Sequence, residues 1–140
     1  MTNIRVLIKK ISEIEKYLQI VKKYRKYSQK EIEDSLDLKG AVERYLYLLC
    51  QAVLDFSDAI VSYSSFRTPS TYGETFEILE ENEIINKNIV EKMRKMAGFR
   101  NILAHEYVKI KFEEVYKILI KDIDDINIFL DEIKVKIKLE

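Results

Sequence analysis

The chain is 140 residues long, 47% apolar and 34% charged, the balance of a folded globular protein rather than of a disordered segment. Three Gly and one Pro are too few for the tight turns of a sandwich or barrel, and one Cys with one His exclude an internal disulfide and a Cys/His zinc site. The 24 basic and 24 acidic side chains cancel but segregate, nine basic against two acidic over residues 1–30 and seven against two over 86–112, so two segments rather than the whole surface offer phosphates a basic face.

The first predicted helix covers residues 3–27. Ile4, Leu7, Ile11, Ile14, Leu18, Val21 and Tyr24 recur there at spacings of three and four and form one stripe. Ser28 stands three residues before Glu31, the pairing of a capping box, so a new helix is expected from there, with a break near Asp37 and Gly40. A long second helix then spans 41–63. Its apolar residues cover most of the circumference, which predicts a central position in a bundle, while Arg44, Gln51, Asp55, Asp58 and Ser62 make one narrow polar strip. Buried unpaired charge is costly, so the strip must meet solvent, a partner or a site.

Residues 64–70 form a loop around Pro69, and Thr71 with Glu74 predicts a second capping box opening a short helix to residue 81. After a polar connection over 82–88, helices are expected over 89–106 and 112–136, the last with a stripe from Phe112 to Ile133. The reading is a single all-α domain over 1–140 with about four main helices. The longest apolar region, 45–56, is interrupted by Gln51 and Asp55 and is too short for a bilayer, and residues 1–10 carry Arg5, Lys9 and Lys10 without an apolar leader core. The expectation is a cytoplasmic protein without membrane contact.

One segment concentrates reactive groups: Gly98-Phe99-Arg100-Asn101-Ile102-Leu103-Ala104-His105-Glu106-Tyr107. An imidazole exchanges protons near neutral pH, and a guanidinium is a permanent planar cation suited to phosphate oxygens. Asn101 shares a helical face with His105, whereas Arg100 lies about 140° away and shares its side with Leu103, Ala104 and Tyr107. Two copies of the helix meeting across a two-fold axis bring such diverging groups into one cleft, with Gly98 permitting close approach. Spacing alone also fits a histidine capping a helix end and an ion pair of Arg100 with Glu91 or Glu106. Cys50, inside the apolar second helix, reads as a small core residue.

The pattern Arg100-Asn101-x-x-x-His105-x-Tyr107 resembles the R-x4-H-x-Y signature of HepT-like proteins, a branch of the HEPN superfamily of helical ribonucleases. Tyr72-Gly73-Glu74, Met96-Ala97-Gly98-Phe99, the segment 108–115 and the apolar second helix with Asp55 are similar to that family as well, so the likeness covers nearly the whole chain. It implies a HEPN-type bundle of four to five helices in a two-fold homodimer whose motif helices build a composite cleft. It further implies the toxin of a type VII-like toxin–antitoxin module, a metal-independent endoribonuclease that needs no cofactor of its own. His105 would be the general acid or base, Arg100 would stabilise charge on the scissile phosphate of RNA, and Asn101 would position His105 or the phosphate. Tyr107 would accept AMP from an MNT-type nucleotidyltransferase antitoxin, which alone uses ATP. Gln51 stands where many relatives carry a glutamate, and with Asp55 and Tyr107 it would line the cleft. The alternative from another class is a non-catalytic HEPN dimer that binds nucleotide or RNA or regulates a nucleotidyltransferase.

Overall fold

The computed structural model describes residues 3–105 and 111–138. Helix α1 (Ile4–Lys22) starts at Asn3, whose side-chain oxygen accepts from the amides of Arg5 and Val6, and it buries Leu7, Ile11, Ile14, Leu18 and Val21. Where one helix to residue 27 was expected, the chain tightens into a 3-10 turn over Lys23–Lys26. Arg25 explains the change of path. Its Nε donates to the Leu119 carbonyl at 2.7 Å and its NH2 to Asp124 at 2.9 Å, so the turn is fastened to the far end of the chain.

The Ser28 capping box is present in full and opens the short α2 (Gln29–Glu33). Ser35 then caps α3 (Leu36–Tyr63), accepting from Leu38 N–H at 3.2 Å. The break therefore falls at residues 34–35, before Asp37 and Gly40, and Gly40 sits inside the helix, where an added Cβ would meet nothing within 4 Å. With 28 residues, α3 is long and apolar enough to cross a bilayer, which extends the 45–56 region read from sequence, yet 61% of its apolar window is buried inside this protein. Its apolar character is that of a core helix.

Thr71 caps α4 (Tyr72–Glu81), accepting from Glu74 N–H, but the Glu74 carboxylate reaches Ser70 N–H at 2.8 Å instead of closing the box on Thr71. After α4 the chain turns through Glu83 at φ 59°, with Ile84 N–H bonded to the Leu79 carbonyl, and enters α5 (Lys87–His105). The single helix expected over 112–136 is divided into α6 (Phe112–Lys117), a π-helical turn (Ile118–Asp122) and α7 (Asp124–Ile137). The Leu119 carbonyl that accepts from Arg25 lies in that turn.

Among the described residues every regular element is helical. The architecture is all-α, with α1, α3, α5 and the α6–α7 segment as principal layers and α4 as a fifth, shorter helix. The buried side chains form one cluster. At its heart Phe129 of α7 meets Phe56 of α3 and Phe76 of α4 edge to face, with centroids 6.5 and 5.9 Å apart, so α3, α4 and α7 are fixed to one another.

Candidate functional site

Helices α3, α4 and α5 pack against one another, and the polar strip of α3 lies where they meet. Gln51 is its centre. Arg100, half-buried on α5, donates from Nε to Gln51 Oε1 at 2.7 Å, and Gln51 Nε2 donates to Asp55 at 2.8 Å and to the Tyr72 hydroxyl at 3.3 Å. The NH1 group of Arg100 donates to Asn101 Oδ1 at 3.0 Å. Its guanidinium carbon stands 5.5 Å from the Tyr47 ring centroid and 5.8 Å from that of Tyr72. Arg44 lies over Tyr47 at 5.4 Å.

Two aromatic faces and two amide oxygens thus fix the guanidinium without neutralising it. Among the described residues Arg100 makes no ion pair, and its NH2 group makes no hydrogen bond, so charge and donors remain available to an anion. Glu43, Arg44 and Tyr47 of α3 and Arg100, Leu103, Ala104 and His105 of α5 line an open concavity of about 420 Å³. His105, the last described residue of α5, has an exposed side chain. Arg100 and His105 therefore border the same concavity within one chain, despite the angle between them on the helix.

Asn101 is engaged by Arg100, whereas the shared face read from sequence placed it beside His105. Asp55 touches the site through Gln51. Tyr107, expected on the Arg100 side, lies outside the described residues. Gly98 is exposed, and apart from its own turn of helix no described residue lies within 4 Å of where its Cβ would be. Tyr47 was not singled out from the sequence: an aromatic on a mostly apolar helix reads as core, although it lies three residues after Arg44 and four before Gln51, on the polar strip.

Burial dominates two neighbouring groups. It pushes the Cys50 thiol up to about 12, with Arg100 acting weakly in the opposite direction. It also raises the Asp58 carboxyl, where the hydrogen bond from the Thr75 hydroxyl at 2.8 Å opposes the rise and the charge of Asp55 adds to it.

The family model described as Ribonuclease HepT-like matches residues 14–133. The chain is 25% identical over 130 residues to the mRNA nuclease HepT of Shewanella oneidensis, covering 92% of this chain and 96% of that one. It is 30% identical over 118 residues to the tRNA nuclease HepT of Aphanizomenon flos-aquae, covering 83% and 80%. Its fold superposes with a TM-score of 0.85 on the tri-AMPylated Shewanella oneidensis HEPN toxin solved in complex with MNT antitoxin, at 24% identity and over 96% and 99% of the two chains.

Proposed function

The chain belongs to the ribonuclease HepT-like family, and from that premise we propose that it is the cytoplasmic toxin of a type VII-like toxin–antitoxin module, cleaving RNA without a metal ion. The observation that carries this reading is the half-buried Arg100, held by uncharged partners on the concavity that also receives the chain's single histidine. The 2′-hydroxyl of RNA attacks the adjacent phosphorus and the 5′ oxygen leaves, giving a 2′,3′-cyclic phosphate and a 5′-hydroxyl. His105 takes the proton from the 2′-hydroxyl or returns one to the leaving oxygen. The Arg100 NH2, which makes no hydrogen bond among the described residues, stabilises the charge that gathers on the non-bridging oxygens, and fixed donors of this kind need no rearrangement as that charge develops. Asn101 positions the guanidinium.

Two copies of the chain complete the cleft. Glycine in mid-helix costs about 0.5–1 kcal/mol relative to alanine, and among the described residues Gly98 has no neighbour that requires one. Close approach of a second α5 supplies the requirement and brings two Arg100–His105 sets together. Silencing follows from Tyr107, two residues beyond His105. An MNT-type nucleotidyltransferase transfers AMP from ATP to its phenolic oxygen with release of pyrophosphate, and the added phosphate pairs with Arg100 in place of RNA.

The test is cleavage of a labelled RNA in excess EDTA by parent and folded His105→Ala protein, after intact mass has excluded attached AMP. Cleavage by the parent alone, with cyclic-phosphate ends, is the expected result. No cleavage of several RNAs by unmodified protein overturns the ribonuclease reading in favour of a binding dimer, and equal cleavage by both proteins removes His105 from the chemistry.

A further inference from the structure

A second cavity, about 280 Å³, lies between α5, the π-helical turn and the start of α7. Its floor is apolar, made by Met93, Met96, Phe99, Ile118, Ile123 and Ile126. Its rim is cationic. Lys92, Lys95, Lys117 and Lys121 surround the mouth, against Asp122 and Asp125. Lys92 is paired with Asp125 at 3.3 Å, while Lys95, Lys117 and Lys121 make no ion pair among the described residues.

The π-helical turn is what brings these groups together. Ile123 N–H bonds to the Ile118 carbonyl at 3.1 Å, five residues back. In a regular α-helix residues five apart diverge by about 140°; the wider turn aligns Lys117 with Asp122 and Ile118 with Ile123, and all four line the cavity. Turns of this kind are frequently found at functional positions.

The cavity adjoins the Arg100 concavity. Met96 is one helical turn before Arg100 and Phe99 one turn before Leu103, and Cys50 of the cavity floor lies close enough to Arg100 to feel its charge. Four residues of helix advance about 6 Å, the scale of a single nucleotide step.

We propose that this lysine-rimmed cavity is a nucleotide subsite, taking a base of the RNA strand on its apolar floor while Lys95, Lys117 and Lys121 hold the phosphates that flank it. The proposal rests on the ribonuclease reading for the identity of the strand. An apolar floor with a cationic rim suits a π-faced base joined to phosphates, and neither an apolar peptide nor a free anion uses both parts.

The probe is a fluorescein-labelled hexamer of 2′-O-methyluridine, which cannot be cleaved, beside an abasic 2′-O-methyl chain of the same length, both followed by anisotropy across a salt series. The parent is expected to prefer the base-bearing probe by about fivefold or more, the low end of one stacked base. Changing Lys95, Lys117 and Lys121 together to Gln should weaken binding about tenfold or more and lower the salt slope by about 2, since each single-strand contact contributes about 0.7. Met96→Trp, which fills the cavity and leaves the lysines, should cut the base preference to under about twofold without changing the slope. An unchanged slope in the triple Gln variant overturns the proposal, as does a parent without base preference or a folded Met96→Trp protein that keeps it. The triple variant alters exposed residues only, so it decides the matter if Met96→Trp does not fold. A parent that binds as expected but cleaves no RNA overturns the ribonuclease reading alone, and one that cleaves while the triple variant binds like the parent overturns the subsite alone.

Discussion

Replacing Gln51 by Leu keeps its volume and removes both hydrogen-bonding ends. The 2.7 Å bond to Arg100 Nε is lost, and so is the donor that orients the Tyr72 hydroxyl beneath the guanidinium. A hydrogen bond to a charged group is worth about 1.5–3 kcal/mol. Arg100 keeps Asn101 and the two rings, so the lower half of that range applies, and about 1.5–2 kcal/mol corresponds to a roughly 10- to 30-fold loss in kcat/KM. The loss should fall mainly on kcat, because the guanidinium gains most as charge develops on the phosphate. Gln51→Glu retains the acceptor and should keep kcat within about threefold, while the added charge competes with phosphate and raises KM. Single-turnover and steady-state cleavage of one labelled RNA measure both terms. In an Arg100→Lys background, which lacks the Nε donor, Gln51→Leu should cost under about twofold. A tenfold loss in that background, or none in the parent, would refute the idea that Gln51 acts by holding Arg100.

Four further expectations concern stability and reactivity. Asp58 has a carboxyl raised by burial, so the folded state favours its protonated form; the resulting stability is present in acid and is lost as pH rises through the raised value. Asp58→Asn, which can still accept from Thr75, should therefore raise Tm at neutral pH with a gain that disappears in acid, and an equal gain at both pH values would contradict the assignment. The Cys50 thiol, buried and pushed up to about 12, should resist iodoacetamide at pH 8 in the folded protein and react once urea unfolds it; stoichiometric labelling of native protein within minutes would count against this. Glu83 turns at φ 59°, a conformation that costs a side chain about 1 kcal/mol or more, so Glu83→Gly should stabilise by about 0.5–1 kcal/mol in urea titration, and a loss would show that its side chain matters more than its backbone. Phe129→Ala removes the ring shared by α3, α4 and α7 and should cost about 3–5 kcal/mol by the same titration, with less than 1 kcal/mol excluding a central role.

The helical periodicities were legible because each principal helix buries a clear stripe, and Ser28 and Thr71 announced their helices because a hydroxyl just before an apolar run has few other uses. Ser35 was harder to see. Its cap on Leu38 N–H starts α3 five residues before the expected point, and the exposed Gly40 costs too little to break a helix already stabilised by burial along its length. The π-helical turn left only a faint trace: Val115 and Ile123 are both buried eight residues apart, whereas two regular turns take about 7.2. At the candidate site, the cluster around Arg100 was readable from its residue types. The tyrosine faces that hold it were not, because Tyr47 and Tyr72 come from two other helices, and only tertiary packing sets their distance from Arg100.

Arg25 gives the molecule an order of assembly. Its two acceptors lie 94 and 99 residues downstream, and the contact of Lys134 with Glu15 at 3.5 Å spans 119. A ribosome delivers the amino end first. Helix α1 can settle on α3 once both have emerged, but Arg25 in the turn that ends it waits for the Leu119 carbonyl and Asp124, made after the whole of α3, α4 and α5. Helix α1 is therefore packed on α3 before the turn that ends it is fastened, and a chain halted before α7 would keep the Leu119 carbonyl for Arg25 but lack Asp124.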